Sequence, residues 1–319
     1  MSRTTKIWLI TAAFLLLIGC MIFGSVMTML KWDFTKLSTN SYETNRYEIN
    51  EGFSAISIHV DTADVVLVPA ETETCVVVCY EQKNCGHTVS VKDGELVIEL
   101  VDTRKWYEHI GIGLESSKIT VYLPQAEYSA LSVKSDTGDV EVPSAFCFQS
   151  IDISGHTGDV KNYASAVGAV TIGTTTGSIF VENVSVGSLA LSVSTGKVTV
   201  LGVASEGDAS VNVSTGKTVL TDMTCKNLIS RGNTGDISLK NVVVAETMSI
   251  ERSTGDVRFD ASDAAEIFVK TDTGDVLGTL LSEKVFVVKT DTGRIDVPGS
   301  TAGGKCEITT DTGDICIRV

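Results

Sequence analysis

Residues 253–276 read Ser-Thr-Gly-Asp-Val-Arg-Phe-Asp-Ala-Ser-Asp-Ala-Ala-Glu-Ile-Phe-Val-Lys-Thr-Asp-Thr-Gly-Asp-Val and hold one full period of the chain. Two Thr-Gly-Asp-Val elements bracket the stretch. Apolar residues stand two apart on either side of the glycine, at Ile267 and Val269 before it and at Val257 and Phe259 after the preceding one. Alternation with period two is the mark of a half-buried strand. The stretch therefore predicts strand, Thr-Gly turn, strand and return.

The same element recurs ten times, with glycines Gly138, Gly158, Gly177, Gly196, Gly216, Gly235, Gly255, Gly274, Gly293 and Gly313, always 19 or 20 residues apart. One unit of that length cannot bury its own apolar face, so copies must stack. Seven residues before each glycine the column is wholly apolar, from Leu131 to Cys306. Five before, it is aliphatic except at Ser230, and two after, it is aliphatic except at Thr218. Glycine at each turn predicts positive φ or close approach to the neighbouring coil. The predicted fold class is all-β, a parallel β-solenoid or β-helix of about ten coils, with two or three strands per coil left open.

Thr-Gly-Asp-Val or Thr-Gly-Asp-Ile at residues 137–140, 157–160, 234–237, 254–257, 273–276 and 312–315 resembles the bacterial putative-adhesin family of β-strand repeat proteins, a domain of unknown function. Upstream segments agree: Phe53 to Val60, Ala63-Asp64-Val65 as a degenerate first turn, Gly94 to Ile98 and Ile119 to Pro124. The resemblance covers residues 50–319. It implies a β-solenoid at the cell envelope, in some bacteria encoded beside envelope-stress systems, and it brings no assigned activity.

Residues 7–30 carry no charged side chain, and 24 such residues exceed the roughly 20 that cross a bilayer core. Arg3 and Lys6 precede them, which predicts a single-pass anchor in the cell membrane, residues 1–6 in the cytoplasm and the solenoid outside; Lys31 and Lys36 weaken that bias. Leu17-Ile18-Gly19-Cys20 is the alternative, a lipoprotein signal, and an ordinary cleaved signal is a third. The residues after Cys20 stay apolar, which favours the uncleaved anchor. Residues 31–49 are expected to form a polar stalk, 50–124 an irregular β section that caps the core, and 125–319 the repeats.

Composition narrows the function. Apolar residues make up 43%, aromatics 6%, with four prolines against 28 glycines, which suits a narrow aliphatic core. A net charge of −15 argues against nucleic acid as a partner. Asp-Thr-Gly at 136–138, 272–274, 291–293 and 311–313 is also the aspartic protease triplet. That chemistry needs paired aspartates within apolar strands, whereas His156, Thr175, Ser194, Ser214, Asn233 and Ser253 fill the same place in other coils. A turn position is the better account, and no catalytic residues are assigned.

Four features remain as candidates. The residue after glycine is acidic in most coils, and Asp236, Asp256 and Asp275 run without an interposed cation. Asp272 and Asp275 are the candidate calcium ligands, with screening by Arg252, Arg258 and Lys270 as the simpler account; no other cofactor is expected. Cys75, Cys79 and Cys85 are near one another with His87, a loose zinc pattern set against buried thiols acting as apolar residues. The irregular stretch Asp102 to Ser117, with Trp106, Tyr107 and His109 near Gly111 and Gly113, reads as a loop over the open end of the solenoid or a ligand loop. Val319 falls six residues after the last turn glycine, and with Phe268 and Val287 in neighbouring coils it marks a surface for self-association or an envelope protein. The expected function is non-enzymatic binding or scaffolding at the envelope, with a polysaccharide-acting β-helix enzyme as the alternative.

Overall fold

A computed structural model describes residues 2–33, 41–106 and 116–319. Helix α1 (Arg3–Met29) opens the chain, its first turn capped by the Ser2 hydroxyl, which accepts from the Thr5 amide at 3.1 Å. Thr11 and Ser25 donate back to the carbonyls of Ile7 and Met21 at 3.0 and 2.8 Å, so their hydroxyls are satisfied along an apolar surface. The helix is long and apolar enough to cross a membrane.

Six strands form the N-terminal section: β1 (Tyr42–Ile49), β2 (Ala55–Pro69), β3 (Cys75–Gln82), β4 (Cys85–Lys92), β5 (Glu95–Asp102) and β6 (Ser117–Leu123). The repeats follow as strand pairs on either side of each Thr-Gly turn. They are β7 (Glu127–Thr137) with β8 (Val140–Val142), β9 (Cys147–Thr157) with β10 (Val160–Asn162), β11 (Ser165–Thr176) with β12 (Ile179–Glu182) and β13 (Ser185–Thr195) with β14 (Val198–Ser205). Next come β15 (Ala209–Thr215) with β16 (Thr218–Cys225), β17 (Leu228–Thr234), then the long β18 (Ile237–Thr254) and β19 (Val257–Thr273), which each run from one coil into the next, and β20 (Val276–Leu280). The last four are β21 (Lys284–Thr292), β22 (Ile295–Asp296), β23 (Gly304–Thr312) and β24 (Ile315–Arg318).

Parallel ladders join equivalent strands of successive coils in register, with turn threonines side by side as in Thr137↔Thr157 and Thr157↔Thr176. A third ladder runs along the return segment, through Ser165↔Cys147, Ala166↔Val186, Ser185↔Ala204, Ala204↔Thr224, Thr224↔Val243 and Val243↔Asp263. Each coil therefore has three sides. The inward columns make one continuous core from Ile56 to Ile317. Burial of aliphatic surface at roughly 25 cal/mol per Å² holds the column together, and each coil completes its backbone hydrogen bonds only on the coils beside it.

At both ends the order of coils departs from the order of the chain. The first coil, β2, lies between β7–β8 on one side and β5–β6 on the other. At the far end β23 pairs with both β19 and β21, and β24 with both β20 and β22. The last coil of the chain is thus inserted one place inward, and β21–β22 forms the terminus of the column. Gly304 stands opposite Lys284 in register, and Lys284 Nζ reaches past the inserted strand to Asp263 Oδ1 at 2.7 Å. That ion pair ties the outermost coil across the inserted one.

Residues 42–49, expected within the polar stalk, instead form β1, antiparallel to β3 with Asn45↔Cys79 and Tyr47↔Val77 in register. The reason is legible afterwards: Asn45, Tyr47 and Ile49 alternate with exposed Arg46 and Glu48, the pattern of an edge strand. Residues 34–40 of the stalk lie outside the described residues.

Candidate functional site

All ten turn glycines have φ between 130° at Gly235 and 157° at Gly274. A Cβ at Gly158 would sit inside the carbonyl of Gly138, and a Cβ at Gly313 inside that of Gly274, so conformation and stacking both demand glycine. The turn also explains the aspartate. The glycine amide donates to the next coil, as from Gly158 to Thr176 O at 3.0 Å, and so does the amide two residues on, from Val160 to Ser178 O at 2.9 Å. The amide between them faces the other way. It donates to the aspartate of the preceding coil: Asp159 N to Asp139 Oδ1 at 2.8 Å, Ser178 N to Asp159 Oδ1 at 2.7 Å, Asp275 N to Asp256 Oδ1 at 3.0 Å and Asp314 N to Asp275 Oδ1 at 2.8 Å. Asp64 serves Asp139 N in the same way at 2.9 Å, so Ala63-Asp64 is the turn of the first coil.

The acidic edge is therefore a structural ladder. Asp275 holds the amide of the inserted last coil, while Asp272 is exposed three residues earlier. The run of acids is longer than the chain order implied, Asp236, Asp256, Asp275 and Asp314, with Arg294 beyond. Arg258 does neutralise Asp256, at 2.9 Å. Arg252 does not, contrary to its expected role as a screening cation: it points inward and is 3% exposed. Its Nη2 donates to Ser230 Oγ at 2.9 Å and Thr218 Oγ1 at 3.2 Å, and its Nη1 to Glu251 O at 3.1 Å. Burial lowers its pKa to about 10. The two polar exceptions in the aliphatic columns are thus the acceptors of one interior guanidinium, and Gly232 is small because that guanidinium lies over it.

The expected contact surface is rearranged by the inserted coil. Phe268 and Val287 are not on adjacent coils, because Glu307 stands between them in register and Lys305 Nζ lies 5.4 Å over the Phe268 ring. Val319 follows β24, inside the end of the column. The open face belongs to β21–β22, where Val285, Val287 and Ile295 are exposed and Phe286 and Val288 only half-buried.

Trp106 is exposed, whereas Tyr107, His109, Gly111 and Gly113 lie outside the described residues. No disulfide joins the eight cysteines, and burial pushes the thiols of Cys75, Cys79, Cys225 and Cys306 up to about 12. Such thiols are weak nucleophiles at neutral pH. Among the described residues, one group of three metal-competent side chains converges: Cys79, Glu81 and His87, all buried. The loose cysteine and histidine pattern in the sequence contained two of the three, and Glu81 was missed.

A putative lipid binding protein from Parabacteroides distasonis shares this fold with a TM-score of 0.51 at 13% identity, covering 88% of this chain and 98% of its own. A putative adhesin from Bacteroides fragilis (16% identity, TM-score 0.41, 87% and 97% covered) and another from Parabacteroides distasonis (10%, 0.42, 85% and 98%) are also similar. No curated protein matches the chain. The model of the Toastrack DUF4097 family matches residues 53–216 and again 203–319, the whole column from its first coil to its last. With that match, the ten-fold turn and the three-sided coil, the chain belongs to the Toastrack DUF4097 family.

Proposed function

We propose that this chain is a non-enzymatic binding or scaffolding protein of the cell envelope, held in the membrane by residues 7–30 with its N-terminus in the cytoplasm and its column outside, and that it makes contact through its terminal coil. The observation that carries this reading is the uncovered end of the core at β21–β22. Val285, Val287 and Ile295 are 36%, 51% and 44% exposed there, beside a strand edge with no partner on its outer side among the described residues. A solenoid end of this kind is a template for strand addition or coil stacking. The charges of this coil balance, Lys284, Lys289 and Arg294 against Glu283, Asp291 and Asp296, so the apolar edge and not net charge marks it. A second copy or an envelope protein offering a strand edge complements it. The names of its structural neighbours, a lipid binding protein and adhesins, are of this functional kind, and none names a reaction.

The test is sedimentation of the full chain in detergent together with crosslinking in native membranes. Wild type is expected to associate or to capture a defined partner, and the paired change Val285→Lys and Val287→Lys to abolish it. A chain that remains monomeric at high concentration and crosslinks to nothing overturns the proposal.

A further inference from the structure

Strands β3 and β4 follow each other through a two-residue turn, with Asn84 at φ 67°, yet they pair only at Gln82↔Cys85. Beyond that pair they separate. β3 runs between β1 and β6, and β4 runs along β5. Their inner faces therefore meet at the N-terminal end of the column, where Cys79 and Glu81 project two apart from β3 and His87 from β4. The three are 0%, 1% and 5% exposed. Cys79 Sγ, a carboxylate oxygen of Glu81 and a ring nitrogen of His87 all lie within 4.8 Å of one another.

The surroundings fix these groups in place. Glu81 Oε2 accepts from the His87 backbone amide at 2.8 Å and is 2.8 Å from His87 Nδ1, while Oε1 accepts from Asn45 Nδ2 at 2.7 Å. Tyr47 donates to the His87 carbonyl at 3.0 Å. Gly86 makes room, since a Cβ there would stand 3.0 Å from Glu81 Oε1. After these contacts one polar atom is left over: His87 Nε2 is buried without a hydrogen-bond partner. A carboxylate and an imidazole so deep in an aliphatic column call for a compensating ligand.

We propose that Cys79, Glu81 and His87 bind a single zinc ion. The donor set of one sulfur, one nitrogen and one oxygen suits zinc and not calcium or magnesium, which take oxygen ligands. Zinc bonds of 2.0–2.3 Å put neighbouring ligand atoms roughly 3.3–3.8 Å apart in a tetrahedron, so the widest separation closes by about 1 Å on binding. Asn45 stays outside as the group that orients Glu81, the usual arrangement behind a metal-bound carboxylate. Three protein ligands leave a fourth position for water. Binding displaces the thiol proton of Cys79, which leaves to solvent. The same side-chain types also make up a thiol–imidazole–carboxylate nucleophile. That alternative is poorer here, because Nε2 has no hydrogen bond to the thiol and Cys79 has no exposure to any substrate.

The full chain in detergent, stripped with a chelator and loaded with zinc alone, is expected to keep one zinc per chain through gel filtration. Cobalt in its place is expected to show thiolate-to-cobalt charge-transfer absorption that zinc abolishes. Both signals should vanish in Cys79→Ser and His87→Gln and persist in Cys225→Ser, which alters a buried thiol elsewhere in the column. At free zinc about a hundredfold over Kd, Tm should rise by about 5 °C. Wild type that keeps under about 0.1 zinc per chain with no rise in Tm refutes the site. So does a charge-transfer band that survives Cys79→Ser, and should that variant not fold, the absence of the band from wild type decides against it.

Discussion

Converting the interior arginine site to aliphatic residues should leave the column as stable or make it more so. Arg252 is 3% exposed, and burial lowers its pKa from the ordinary guanidinium range to about 10. At 1.36 kcal/mol per pKa unit, that shift is a folded-state penalty on the charged form of about 3 kcal/mol. The sign follows from its being a base whose folded pKa is depressed: the penalty is full below about pH 10 and stability rises as the pH climbs above it, where the unfolded chain binds the extra proton. Against it stand three hydrogen bonds, to Ser230, Thr218 and Glu251, each contributing about 1 kcal/mol net. The two sides nearly cancel. Arg252→Met with Ser230→Val and Thr218→Val restores unbroken aliphatic columns, and the expected gain is about 0–3 kcal/mol, as buried charges replaced by apolar residues often show. Ser230→Ala alone should cost about 1–3 kcal/mol, because it removes an acceptor and keeps the charge. Urea unfolding followed by circular dichroism at constant m reads both. A triple variant more than about 2 kcal/mol below wild type would refute the reasoning and show that the charge is net stabilising.

Gly255→Ala should cost more than about 3 kcal/mol or prevent folding, since φ is 144° and the new Cβ would enter the Gly235 carbonyl; a melting temperature within a few degrees of wild type would contradict the stacking. Asp159→Ala should cost about 1 kcal/mol by orphaning the Ser178 amide, with Asp159→Asn retaining most of it, and calcium should leave the melting temperature of wild type unchanged if the ladder carboxylates serve amides. Lys284→Met should cost about 1–3 kcal/mol by leaving the half-buried Asp263 without its cation. Hydrogen exchange should show the loss first in β21.

The columns were readable because a strand buries every second residue and a coil repeats every 19 or 20, so composition at fixed offsets reports burial directly. What the offsets do not report is the partner of an exception. Ser230 and Thr218 looked like isolated lapses in two different columns, and Arg252, at a third offset, looked like a surface cation. Only stacking three consecutive coils shows that the hydroxyls face one point in the interior. The signal was nevertheless in the sequence. Two hydroxyl residues, a glycine and an arginine fall within successive periods where every neighbouring coil is aliphatic or small, and a charge placed inward requires such acceptors. The cap cluster was half legible for a related reason: spacing brings Cys79 near His87, but Glu81 joins them only because β3 and β4 part after a single pair.

The ends were illegible in principle from periodicity alone. A repeat defines what each coil presents to its neighbours, and all coils of this column present nearly the same threonines, glycines and aliphatic residues, so a coil one place out of order satisfies the same ladders. Thr312 pairs with Thr273 and Thr292 as well as Thr292 would have paired with Thr273. The choice passes to the few residues that are not repeated. At the far end these are Gly303, Gly304, Lys284 and Asp263: the glycines admit the passing strand, where a Cβ would strike the carbonyls of Glu283 and Ala265, and the lysine closes over it. Specificity at the end of a solenoid thus resides in its irregular residues. Substituting Gly304 should disturb the order of the last two coils while leaving the interior of the column intact.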